Sequence, residues 1–204
     1  MTPPEELLEQ FETELTKVAG VAHRAASRQE LDEILASILS KANATGVVLS
    51  RNPLLAELNL EARLGKAGIE LRQASGSSPL PAEANFLATV GITGVEFALA
   101  ETGSLVVTSW TEGAQLTSLA PPVHVALYRR SQLVASLDEV LERLPLARAP
   151  RQTALGRSVV FITGTSRTAD IEQILIRGVH GPGELHAILV EEGCMQGRPS
   201  LPKG

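Results

Sequence analysis

Hydrophobic and polar positions along the first third of the chain alternate between a helical and an extended period. Pro3, Pro4, Glu5 and Glu6 open a helix whose Leu7, Leu8, Phe11 and Leu15 lie on one stripe, and the pattern ends near Gly20. Ser27 to Glu30 has the spacing of a capping box, and Leu31, Ile34, Leu35 and Ile38 follow at helical intervals, so a second helix is expected. Residues 46–50, GVVLS, form a short apolar run suited to a buried strand. A further helix is expected around Pro53 to Leu64, and a strand near Gly68 to Leu71. This is the rhythm of βαβ units.

Residues 73–82, rich in Ser, Gly and Pro, read as a loop. Further strands are expected at Ser104 to Ser109, 121–128 and 132–136, with a short helix from Asp138 to Leu144. A connector with Pro and Arg (145–157) leads to SVVFITG (158–164), the strongest buried-strand pattern in the chain. After it, Ile171, Ile174 and Leu175, with Arg177 in a last turn and Gly178 beyond, predict a helix, and HAILV (186–190) closes the sheet. The expected fold is α/β, an open, mostly parallel sheet flanked by helices. Residues 1–45 are expected as a helical extension packed on an α/β domain at 46–192, with a disordered tail at 193–204.

Composition narrows the function classes. The 204 residues suit one domain, and with 44% hydrophobic but only 3% aromatic residues the core must be filled by Leu, Val, Ile and Ala. A net charge of −5 without a basic block, and one Trp and one Tyr to stack on bases, argue against nucleic acid as a partner. No apolar run reaches the roughly 20 residues that span a bilayer, and the acidic start is unlike a targeting peptide, so no membrane partner and a cytoplasmic location are expected. The single cysteine, Cys194, forms no internal disulfide and cannot by itself ligate an iron–sulfur cluster or structural zinc. No cofactor is expected in this chain, and electron chemistry falls to a partner.

Candidate chemistry concentrates in FITGTSRTADIE (161–172), where a strand runs through Gly164 into Thr165, Ser166, Arg167 and Thr168 and then into the expected helix. Free N–H groups at a helix start and the forked charge of Arg167 suit a carboxylate or phosphate. A plain helix cap by Thr168, with Asp170 and Glu172 answering the dipole, fits the same residues. Glu101, in the apolar stretch before a glycine turn, is the candidate acid, base or nucleophile, or else a turn acid bonded to nearby N–H groups. His124 lies within an apolar strand, where a core histidine is the ordinary reading. His180 sits among glycines that let backbone approach a ligand; with His186 it has no acidic partner at ligand spacing, so no metal site is expected. Thr93 and Gly94 belong to GITGVE, which is not a dinucleotide fingerprint.

Three blocks, GITGVEFALAETGSLVV, SLAPPVHVAL and ITGTSRTADIEQILIRGVHGPGELHAIL, resemble the lactate-utilisation protein C family, proteins made of a LUD domain, from Gly91 to Leu189. The resemblance implies a fold similar to the ribose-phosphate isomerase, glucosamine-phosphate deaminase and CoA-transferase group. It also implies a part in oxidising L-lactate to pyruvate alongside partner proteins that carry iron–sulfur clusters. Site residues follow from the blocks: Thr93, Gly94, Thr102, Gly103, His124, Gly164, Thr165, Ser166, Arg167, Thr168 and His180 around a small anionic ligand, with Glu101 as the catalytic candidate. AETG (100–103) looks like the Glu-Asn-Gly stretch that bears the CoA-transferase nucleophile, with Thr102 in place of Asn. Three functions are compatible: a non-redox subunit of an L-lactate utilisation system, a stand-alone isomerase- or CoA-transferase-like enzyme using Glu101, and a non-catalytic assembly or regulatory module.

Overall fold

The computed structural model describes residues 3–72, 86–109, 115–144, 158–169, 175–177 and 181–195, with the backbone path alone for 167–169 and 175–177. The loop expected at 73–82, the whole connector at 145–157, His180 and the tail beyond Met195 lie outside the described residues.

Helix α1 (Glu5–Lys17) forms where expected and buries Leu8, Phe11 and Leu15. The chain then breaks at Ala19, with φ of 62°, and enters strand β1 (Val21–Ala25). Helix α2 (Arg28–Lys41) starts at Ser27, whose side chain accepts from the Glu30 N–H, while Glu30 accepts from the Ala26 N–H at 2.8 Å. Strand β2 (Val47–Leu49) follows. The helix expected at 53–64 is two pieces, α3 (Pro53–Glu57) and α4 (Leu60–Lys66), because Asn59 takes a left-handed conformation between them. Next come β3 (Leu71–Arg72), β4 (Val90–Gly94), β5 (Phe97–Leu99), β6 (Ser104–Thr108), the short helix α5 (Leu116–Leu119) and β7 (Val123–Tyr128). Strand β8 (Leu133–Val134), helix α6 (Leu137–Arg143), β9 (Val159–Ile162), β10 (Arg167–Ala169), β11 (Leu175–Arg177) and β12 (Glu184–Val190) complete the described elements.

Six strands form one parallel sheet in the order β1-β12-β7-β4-β2-β3. Its central strands are buried along their whole length, as a parallel sheet covered on both faces requires. Leucines of α2, α3 and α4 pack with Val47, Ile92, Val125 and Ile188 on one face. On the other face, α1 packs with Val95, Ala126, Tyr128, Leu185 and Leu189 and with the inner side of a second sheet, β8-β5-β6-β9. Helix α6 closes the outer side of that small sheet through Val140.

Five expectations change. Residues 1–45 are no separate helical extension, because β1 pairs in parallel with β12 and makes an edge of the large sheet. HAILV therefore lies inside that sheet, between β1 and β7. The strand at 158–164 is an edge strand of the small sheet with Phe161 40% exposed, since its apolar residues serve two faces of a covering layer. Where the expected helix after Thr168 is described, it is instead a β-ladder in which Arg167 pairs with Arg177 and Ala169 with Leu175, while residues 170–174 lie outside the described residues. Thr168 and Ile176 are partners in the backbone register there, and both are β-branched residues of the type that favours extended backbone. Of the tail expected at 193–204, residues 193–195 belong to a 3-10 turn (Glu192–Met195) that buries Cys194.

Candidate functional site

The three sequence blocks meet at the amino-terminal edge of the large sheet. Ser166 donates its N–H to the Pro182 carbonyl at 2.9 Å, and Gly183 donates to the Pro122 carbonyl at 2.9 Å, two residues before His124. Thr165 donates its N–H to the Val18 carbonyl at 3.3 Å, so the end of α1 forms one wall. His124 and Thr93 project from β7 and β4 to the face that carries α1, because Ala126 and Val95, two residues further along each strand, pack in that same layer. Thr93 Oγ1 and His124 Nε2 are 2.8 Å apart, and neither side chain is exposed. His124 Nδ1 and Thr165 Oγ1 are buried and have no hydrogen-bond partner among the described residues. Arg167 and Thr168 leave this junction as the first residues of β10.

The backbone of the blocks is held by close approach. A Cβ at Gly91 would collide with the Thr117 carbonyl, and one at Gly94 with the side chain of Asn52. Gly103 and Gly164 both have positive φ, 63° and 81°, and both lie against the last turns of α1, at Leu15 and Val18. Between them runs a hydroxyl ladder: Thr102 Oγ1 to Ser104 Oγ at 2.7 Å, and Ser104 Oγ to Thr163 Oγ1 at 2.6 Å. The AETG turn is thus a neighbour of the Gly164 turn. Glu101 itself is exposed, and its carboxylate accepts from the Leu137 N–H at 3.1 Å, at the start of α6. The apolar surround expected for it is absent, since the neighbouring apolar residues turn inward and leave Glu101 at the surface.

Burial, and then the nearby His186, pulls the His124 imidazole down to about 3. At neutral pH it is an uncharged hydrogen-bonding group and not a base. His186 lies on the opposite face of the sheet, where its Nδ1 is 3.0 Å from His23 Nε2, and Glu184 Oε2 is 3.7 Å from its other nitrogen. Burial and the His186 charge lower His23 to about 4. Among the described residues no group of three or more His, Cys, Asp or Glu side chains is arranged to hold a metal ion.

The opposite, carboxyl-terminal edge of the sheet carries a cleft of about 910 Å³ that sequence reasoning missed, lined by Glu57, Arg129, Arg130, Ser131 and Glu191 among others. Its signal was the pair of arginines directly after the apolar strand VHVALY. Arg130 is matched to Glu5 at 2.8 Å and to Glu191 at 2.7 Å, whereas Arg129 pairs with Glu57 at 2.6 Å through one terminal nitrogen and keeps its Nε buried without a partner among the described residues. Carboxylates thus offset both charges in this cleft, while the Arg129 Nε and the Tyr128 hydroxyl are left without partners among the described residues. A second cleft, about 740 Å³ between α2 and α4, is lined by Leu35, Leu39, Leu64 and Ile69, with the Asp32–Arg63 ion pair and Lys66 also in its lining.

These layers define the class: an α/β protein whose parallel sheet is covered by helices on one face and by a helix and a smaller sheet on the other. The chain belongs to the LUD domain family, whose model matches residues 8–190 and so takes in α1, β1 and α2. It is 30% identical over 162 residues to lactate utilization protein C of Halalkalibacterium halodurans, covering 79% of this chain and 70% of that one. Over 94 residues it is 34% identical to lactate utilization protein C of Deinococcus radiodurans, covering 46% of this chain and 42% of that one. The crystal structure of a DUF162 family protein from Deinococcus radiodurans has the same fold, with a TM-score of 0.64 at 24% identity over 91% of this chain and 96% of that one. Among the described residues no helix is long and apolar enough to cross a membrane.

Proposed function

We propose that this chain is a non-redox subunit of an L-lactate utilisation system and binds a small carboxylate at the junction of the three blocks. The observation that carries this reading is that two of the four buried polar side-chain atoms without partners among the described residues, His124 Nδ1 and Thr165 Oγ1, belong to segments that meet at this junction, the other two being Tyr128 Oη and Arg129 Nε at the opposite end of β7. Buried polar atoms without a partner cost free energy unless a ligand or an ordered water completes them. Thr165 supplies a hydroxyl and Arg167 a guanidinium fork for the carboxylate, while His124 meets the ligand as a neutral ring. Oxidising lactate to pyruvate releases two electrons and two protons. The only cysteine of the chain is buried with its thiol on a backbone carbonyl, so the electrons pass to iron–sulfur clusters in partner proteins. The family membership and the names of its relatives support this assignment.

Calorimetry on the whole chain tests the reading, with L-lactate, pyruvate and inorganic phosphate as probes. A carboxylate should bind, and Arg167→Ala should weaken it by about 10- to 100-fold if the lost bonds are charge-assisted. Failure of both carboxylates to bind, or an unchanged dissociation constant in the variant, overturns it.

A further inference from the structure

The His124 ring limits what the junction can recognise. It is fully buried and neutral, so it carries one proton on one of two nitrogens. A proton on Nδ1 would leave an N–H buried without an acceptor among the described residues. With the proton on Nε2, that N–H donates to Thr93 Oγ1 at 2.8 Å, and Nδ1 is a bare lone pair. Orphaned buried N–H groups are rarer than under-used acceptors, which selects the second arrangement. Thr93 then fixes both the ring orientation and the tautomer, as the partner of one imidazole nitrogen sets the state of the other.

The buried, unpartnered atom at the junction is therefore an acceptor, and its complement is a donor. We infer that His124 Nδ1 accepts a hydrogen bond from the hydroxyl of a 2-hydroxy acid, with Thr93 as the positioning residue, so that the site discriminates hydroxy acids from their 2-oxo counterparts. The inference rests on the carboxylate-binding reading above. A 2-oxo acid presents a carbonyl oxygen to Nδ1, lone pair against lone pair, and leaves both unsatisfied. A site built around a ligand hydroxyl rejects the analogue that lacks it far more strongly than a site that merely encloses it. Nδ1 is closed off from bulk solvent, and the low local dielectric strengthens both the bond and the rejection. His124 reads the hydroxyl and does not remove its proton.

Two measurements test this. In the ligand-free chain, nitrogen-15 NMR of His124 should show the Nε2–H tautomer in the wild type and in Thr93→Ser, and a mixed or reversed state in Thr93→Val. A merely structural threonine would not move that signature. Calorimetry with the matched pairs L-lactate and pyruvate, and 2-hydroxybutyrate and 2-oxobutyrate, should show the hydroxy acid binding at least about tenfold tighter, as the loss of one good hydrogen bond implies. Thr93→Ser should keep that preference and Thr93→Val should shrink it. An Nδ1–H tautomer in the wild type, or equal affinity within both pairs, overturns the inference while the carboxylate reading stands. Binding of neither member of either pair overturns the carboxylate reading and the preference with it.

Discussion

Gly164 lies directly against the end of α1, with φ of 81°, where a Cβ would run into the Val18 carbonyl oxygen. The same carbonyl accepts the Thr165 N–H, so α1 and the TSRT turn hold each other. Gly164→Ala combines a left-handed residue with overpacking against backbone, and it should lower stability by about 2–4 kcal/mol. Urea unfolding measures this, and an unchanged midpoint would show that the turn does not dock on α1.

Glu101 behaves as a surface acid at a helix start. Its carboxylate accepts from the Leu137 N–H, beside Ser136, which caps the same helix through the Glu139 N–H. Removing it in Glu101→Ala should cost about 0.5–1 kcal/mol, the range of a helix-end acid. Glu101→Gln should leave lactate oxidation by the reconstituted system at the wild-type rate. Loss of turnover in a Glu101→Gln chain that melts normally would restore Glu101 as a catalytic group.

The parallel sheet, α1, α2 and the buried strands β2, β6 and β7 were legible because their apolar periods are local. Strand β1 was not: VAHRA mixes one arginine and one histidine into five residues, and it becomes a strand only by pairing with β12. His186 was weighed against His180 as a neighbour in sequence, yet its partner is His23, 163 residues away. The TSRT turn was picked out by residue type. Its helix was misjudged because Ile171, Ile174 and Leu175 match a helical stripe, whereas Thr168 and Ile176 pair across an extended ladder. Thr93 and His124 were both named from the blocks, but only the pairing of β4 with β7 brings them together.

Burial of neutral histidines makes stability depend on pH. His23 is held at about 4 in the folded chain, against an ordinary value of 6.5, and His124 is depressed further, to about 3. The unfolded chain therefore binds protons that the folded chain refuses as the pH drops below 6.5. Their contribution is full above that value and is lost progressively as the pH falls toward 4. His23→Gln removes one of the protons taken up on unfolding, so the slope of unfolding free energy between about pH 6 and pH 4.5 should fall by about one proton. Urea titrations across that window read the slope, and parallel curves for variant and wild type would mean that His23 titrates normally.

Cys194 should be chemically silent while the chain is folded. It has no exposed surface, its thiol donates to the Ala25 carbonyl at 3.2 Å, and burial pushes its pKa up, away from the reactive thiolate. Gly193 beside it is packed against the Ala26 carbonyl, so the 3-10 turn cannot swing the thiol outward without losing that fit. A disulfide reagent at neutral pH should therefore label the native chain negligibly and the urea-unfolded chain fully. Incubation with ferrous iron and sulfide should leave both results unchanged, because one inaccessible thiol cannot seat a cluster. Rapid labelling of the native chain, or its protection by iron and sulfide in urea-free buffer, would place a reactive ligand in this subunit and return part of the electron chemistry to it.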